Sequence, residues 1–239
     1  TNTITNTNTK VTSETIDIPV TKKWVDSDNV LSARPENLKV TLATKNAAGE
    51  VTEIADKTLT LNDANNWSGT FTDLDKKDGA GNLINYTVVE NDVNGYTGKL
   101  ELTKDENGVV TAAELTNTLN VGKIQIAKLF SGDLDDTKLT DAQKRQITFT
   151  IAGPDGYNGP TSVTYDQFTA GSYVVKNAPY GTYTITETNA AFDGYKNTVT
   201  YAVGASKNDT DATVEIASDA TSLVTITNTY TAYVNISGT

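Results

Sequence analysis

Leu115-Thr116-Asn117-Thr118-Leu119 returns near the end of the chain as Ile226-Thr227-Asn228-Thr229-Tyr230, and these two segments decide the fold. Apolar and polar residues alternate in both, which is the period of a half-buried strand. Successive side chains point to opposite faces, so the Asn shares the core face with its apolar neighbours while the Thr residues face outward. An amide in the middle of an apolar face, found twice, signals an internal repeat.

Outward from these segments, two more patterns recur in the same order. An opening strand carries Ile16, Ile18, Val20, Lys22 and Trp24 in one half and Ile124, Ile126, Lys128 and Phe130 in the other, so each half puts one Lys on the apolar face. Lys23 has the parity of Thr21 and faces outward. Tyr86-Thr87-Val88-Val89-Glu90 is matched by Tyr183-Thr184-Ile185-Thr186-Glu187, which puts one Glu on the core face of each half. The repeat predicts an all-β chain of two tandem sandwiches, domain 1 over 15–119 and domain 2 over 120–232. Thr3-Ile4-Thr5-Asn6-Thr7 repeats the closing pattern with no opening strand before it. Residues 1–14 are therefore expected to be a tail or the last strand of a preceding domain, and 233–239 a C-terminal tail.

Composition agrees with strands and narrows the chemistry. The 239 residues include 42 Thr and 11 Tyr, both at home on pleated surfaces. Asn94-Gly95, Asn107-Gly108, Asn158-Gly159, Asp78-Gly79, Asp155-Gly156 and Asp193-Gly194 supply turn signals. Only Thr140–Gln146 reads as helix, with Thr140 as its N-cap. His, Cys and Met are absent. That removes Ser-His-Asp triads, Cys-His nucleophiles, imidazole or thiolate zinc sites and disulfides. Asp26 with Asp28, and Asp133 with Asp135 and Asp136, lack the spacing of a calcium loop and read as solvated loops. No cofactor or metal is expected. A net charge of −11 opposes nucleic acid and anionic membranes, and no apolar run approaches the ~20 residues of a membrane span. The missing initiator Met predicts a piece of a longer protein.

A Lys, a Glu and an Asn facing one core are each costly to bury alone. Together they suit one reaction. Burial that lowers the Lys pKa leaves a neutral nucleophile, and burial that raises the Glu pKa lets its acid hydrogen-bond the Asn side-chain carbonyl. Attack of Nζ on Cγ then expels ammonia and leaves a Lys–Asn isopeptide bond. This is a single self-modification, not enzymatic turnover.

Val20-Thr21-Lys22-Lys23-Trp24, Arg34-Pro35-Glu36-Asn37-Leu38-Lys39-Val40, Trp67-Ser68-Gly69-Thr70-Phe71, Tyr86–Glu90 and Leu115–Thr118 together resemble a collagen-adhesin B-type (CnaB) domain of Gram-positive surface proteins. Domain 2 is similar to the same superfamily, including pilin-subunit domains, through Lys128, Phe149-Thr150-Ile151-Ala152-Gly153-Pro154, Gly181–Glu187 and Ile226–Thr229. It departs in having Phe130 where domain 1 has Trp24, and in a longer insert around 131–146. The resemblance implies immunoglobulin-like or transthyretin-like sandwiches, a bond from Lys22 to Asn117 promoted by Glu90, and one from Lys128 to Asn228 promoted by Glu187. It further implies an extracellular stalk or pilus module, attached to the bacterial cell wall through other regions, whose partners are neighbouring domains of the same surface protein. No Leu-Pro-x-Thr-Gly or Tyr-Pro-Lys motif is present, which favours an adhesin over a polymerising pilin. The alternative is a ligand-binding adhesin domain that recognises a host matrix protein or glycan, for which Tyr157 and Tyr195 are candidate exposed loop aromatics.

Overall fold

The computed structural model describes residues 14–155 and 157–234, and the expectations for the first thirteen residues and the last five lie outside them. The chain divides into two compact units, Thr1–Leu119 and Asn120–Thr239. Each is a β-sandwich, as the alternating pattern requires.

In the first unit the strands are β1 (Thr15–Val25), β2 (Leu38–Lys45), β3 (Val51–Leu61), β4 (Ser68–Asp75), β5 (Tyr86–Glu90), β6 (Tyr96–Lys104) and β7 (Val110–Leu119). One sheet has the order β4-β1-β7-β6 and the other β3-β2-β5. Ile18 and Val20 from the first sheet meet Val40, Leu42 and Val88 from the second in one core. β1 and β7 are parallel neighbours, with Lys22 opposite Leu115 and Trp24 opposite Asn117. Their neighbours β4 and β6 are antiparallel to them.

In the second unit the strands are β8 (Val121–Gly132), β9 (Thr148–Ala152), β10 (Ser162–Thr164), β11 (Ser172–Pro179), β12 (Gly181–Thr188), β13 (Tyr195–Val203), β14 (Ser206–Asn208), β15 (Ala212–Ile216) and β16 (Thr221–Ala232). They form sheets of order β11-β8-β16-β13-β14 and β10-β9-β12-β15. Again the opening and closing strands, β8 and β16, run parallel side by side, with Lys128 opposite Ile226 and Phe130 opposite Asn228. The short helix α1 (Asp141–Gln146) lies in the insert after β8. Its Thr140 N-cap accepts from the Gln143 N–H, and the Gln143 side chain accepts from the Thr140 N–H, satisfying two otherwise orphaned donors.

Candidate functional site

Alternation on β1 turns Lys22 inward between Val20 and Trp24 and leaves Lys23 exposed. Asn117 lies on the neighbouring parallel strand, two residues past the register partner of Lys22, so the two side chains stand on the same face. Glu90 ends β5 in the facing sheet and completes the group. Lys22 Nζ donates to Glu90 Oε2 at 3.2 Å, and Asn117 Nδ2 donates to Glu90 Oε1 at 2.5 Å. The two oxygens of one carboxyl group therefore face the two nitrogens.

The second unit repeats this geometry. Lys128 Nζ lies 3.1 Å from Glu187 Oε2, and Asn228 Nδ2 donates to Glu187 Oε1 at 2.6 Å. Here Lys128 Nζ also donates to Asn228 Oδ1 at 2.5 Å. In both units the amide presents its nitrogen to the Glu, whereas sequence reasoning expected the Glu to hydrogen-bond the amide oxygen. Spacing along a strand places an Asn on a face but carries no information on how its amide is turned.

Burial separates the two sites. The side chains of Lys22 and Lys128 are both fully buried, but that of Glu90 is 11% exposed and that of Glu187 only 1%. A cleft of about 240 Å3, lined in part by Val88, Val93, Tyr96 and Gly98, reaches Glu90 and Asn117. Asn117 Oδ1 is buried and has no hydrogen-bond partner among the described residues. Desolvation lowers the pKa of Lys22, and it lowers that of Lys128 to about 8, with the neighbouring Glu opposing the shift in each case. Each amine lies over the ring of the aromatic residue two positions on, Lys22 over Trp24 at 4.6 Å and Lys128 over Phe130 at 4.4 Å.

Sequence reasoning missed the frame around the first site. Asp26, read as a solvated loop residue, is buried at 4% exposure. Arg34 grips it with Nε and Nη2, each 2.7 Å from a carboxylate oxygen, and the Tyr96 hydroxyl donates to it at 3.0 Å. Arg34 holds its carboxyl down to about pKa 2. The loop that brings Arg34 back has Ser27, Asp28, Asn29 and Ser32 in the left-handed region. Tyr96 and Trp67 pack edge-on against Trp24, closing the apolar wall beside Lys22. A carboxylate following an inward Trp, with an Arg a few residues later, was the available signal.

The other candidates are occupied structurally. Asp133 accepts from the Ala232 N–H, Asp135 caps a turn at Thr137, and Asp136 accepts from the Tyr165 hydroxyl and pairs with Lys144. Among the described residues no group of three or more His, Cys, Asp and Glu is placed to hold a metal ion, and no helix is long and apolar enough to cross a membrane. Tyr157 and Tyr195 are not exposed loop aromatics. Both are half-buried, Tyr157 edge-on to Tyr183 and Tyr195 edge-on to Tyr230, and Tyr195 opens β13. They supply packing, so the feature that favoured ligand binding is withdrawn.

Comparison with known proteins assigns the two units. Residues 18–118 match the family described as Cna protein B-type domain, and residues 124–231 match the family described as Domain of unknown function (DUF5979). The collagen adhesin of Staphylococcus aureus is 40% identical over 93 residues, which are 38% of this chain and 7% of the adhesin. Among solved structures, two B repeat units of the collagen-binding protein of Staphylococcus aureus align over 91% of this chain and 76% of theirs, at 17% identity and a TM-score of 0.39. The major pilin of Streptococcus pyogenes aligns over 92% of this chain and 99% of its own, at 16% identity and a TM-score of 0.49. Each unit of the chain is thus similar to a known family over most of its length, the first to the Cna protein B-type domain over residues 18–118 and the second to the family described as DUF5979 over residues 124–231.

Proposed function

We propose that each domain crosslinks itself, Lys22 to Asn117 and Lys128 to Asn228, with Glu90 and Glu187 moving the proton, and that the chain is a stalk segment of an extracellular Gram-positive surface protein. The observation that supports this is the carboxyl group held between a buried amine and a buried carboxamide in both units. Burial favours the neutral amine. Nζ attacks Cγ, one Nζ proton passes through the Glu carboxyl to Nδ2, the Cγ–Nδ2 bond breaks, and ammonia leaves. One N–H stays on Nζ and the Glu ends as it began. Fixed proximity removes the entropic cost of an encounter and so offsets part of the barrier that amide resonance sets.

The placement of the bonds suits a tether. Opening and closing strands are parallel neighbours in each unit, so tension between the ends of a unit shears that pair, and a bond across it carries the load. Each bond also closes a loop of about 95–100 residues, worth roughly 4–5 kcal/mol in the chain-entropy account. The partners of such a segment are adjoining domains of the same protein, and the collagen adhesin relative makes adhesion to a host matrix protein the natural task of the whole.

Intact-mass measurement tests this. The purified chain is expected to be lighter than its sequence by about 34 Da, one ammonia of about 17 Da per domain, with branched peptides joining Lys22 to Asn117 and Lys128 to Asn228. An unshifted mass overturns the proposal.

A further inference from the structure

Besides the aromatic beneath the amine, Trp24 against Phe130, the two sites differ on the closing strand. Two residues past the Asn on the closing strand, domain 1 has Leu119 and domain 2 has Tyr230. Period-2 alternation puts both on the same face as their Asn. The Tyr230 ring is fully buried and packs against Phe130 and Phe192. Its hydroxyl donates to the Ala190 carbonyl at 2.7 Å, and Asn228 Nδ2 donates to that hydroxyl at 3.2 Å. Ala190 follows Asn189, whose φ of 60° turns the chain after β12, and its carbonyl also accepts from Asn197 Nδ2.

We propose that Tyr230 is a positioning residue for the domain 2 crosslink, holding the Asn228 carboxamide with its leaving nitrogen towards Glu187 and its carbonyl towards Lys128. The inference rests on the crosslinking reading above. A hydroxyl has one proton, and this one is committed to Ala190, so Tyr230 can only accept from the amide. The two Nδ2 hydrogens are then taken by Glu187 Oε1 and Tyr230, while Oδ1 accepts from Lys128 Nζ. Turning the amide over would set its oxygen against a carboxylate oxygen and against a hydroxyl with no proton to give. All three polar partners therefore specify one orientation, the one in which the electrophilic carbon belongs to a carbonyl already touching the amine. In domain 1 Leu119 offers no such partner, and among the described residues the Asn117 carboxamide is held by Glu90 alone and its Oδ1 is unpaired. Glu187 remains the proton carrier, and Tyr230 acts by fixing what it works on.

The test is a time course of crosslinking after cell-free synthesis of the full chain, quenched in acid denaturant, with each loss of ammonia assigned by peptide mapping. Tyr230→Phe keeps the ring and removes the hydroxyl. It is expected to slow the Lys128–Asn228 bond about tenfold, the cost of one hydrogen bond of roughly 1.4 kcal/mol, while the Lys22–Asn117 bond forms at the wild-type rate. Tyr183→Phe is the control, because it removes a buried hydroxyl of the same domain that donates to the Pro179 carbonyl, and it is expected to leave both rates unchanged. Should Tyr230→Phe not fold, Asn197→Ala releases the Ala190 carbonyl without touching the ring cluster and is expected to slow the same bond. Wild-type rates in Tyr230→Phe, or equal slowing by Tyr183→Phe, overturn the role of Tyr230. A wild-type chain that forms the domain 1 bond and never the domain 2 bond overturns it too, and loss of neither ammonia from the wild type overturns the crosslinking reading itself.

Discussion

Asn117 sits two residues beyond the register partner of Lys22 on the neighbouring parallel strand, and Asn228 stands in the same relation to Lys128. The shared offset means that the two domains, which differ in their inserts and in one flanking aromatic, hold the amine and the carboxamide by the same piece of backbone geometry. The Glu comes from the opposite sheet in each, so the group forms only when the sandwich closes. The proposed crosslinking is thereby expected only in the folded chain, where the three groups meet.

Removing the carboxyl group separates folding from crosslinking. Glu90→Ala takes away the partner of both nitrogens in domain 1 but little of its apolar core. The variant is expected to fold, to lose only about 17 Da, and to unfold domain 1 at a lower temperature than the parent. In single-molecule pulling it should release roughly 95 more residues of chain from domain 1, about 300 Å at some 3.3 Å per residue. A Glu90→Ala chain that still lacks two ammonias removes Glu90 from the proposed role.

How much of this was legible follows from what each signal depends on. Strand period places Lys22, Asn117, Lys128 and Asn228 on core faces, because a side chain's face is a property of its own strand. The recurrence of the set, in order, brings in Glu90 and Glu187. The orientation of the amides was not legible, since it depends on partners from other strands. Tyr230 stood in the closing-strand repeat as a mere counterpart of Leu119, and its role depends on the Ala190 carbonyl, 40 residues away. Asp26 was misread for the same reason: its burial is made tolerable by Arg34 from the following loop and by Tyr96, 70 residues on.

That buried carboxylate makes a stability prediction. Arg34→Ala leaves Asp26 inside without its fork, and domain 1 is expected to lose roughly 3 kcal/mol, the scale for an uncompensated buried charge. Arg34→Lys is expected to recover only part of it, because an ammonium cannot bond both oxygens in the plane of the carboxylate. Chemical denaturation in a Glu90→Ala background reads this without interference from the crosslink. The sign with pH follows from Asp26, whose pKa falls from 3.8 unfolded to about 2 in the fold. Its contribution is present above pH 4 and lost as pH falls through 2. The gap between the parent and Arg34→Ala should therefore narrow over that window. A gap that stays constant from pH 5 to pH 2 contradicts the assignment.

Gly98 offers a way to block one bond while leaving the strand intact. It pairs with Asn117 across β6 and β7, and a Cβ there would lie 3.1 Å from Asn117 Oδ1, tighter than ordinary contact. Its φ is not in the left-handed region, so the glycine is required for space beside the amide, not for backbone freedom. Gly98→Val should suit a strand yet push the carboxamide away from Glu90. The expected result is a folded chain that lacks the Lys22–Asn117 bond and keeps the Lys128–Asn228 bond, with a loss of about 17 Da. Gly98→Ala adds one methyl against a side chain able to shift by a few tenths of an ångström, and is expected to slow the bond without abolishing it. Full crosslinking of Gly98→Val at the wild-type rate would mean that Asn117 reacts from a different position than the one it holds beside Glu90.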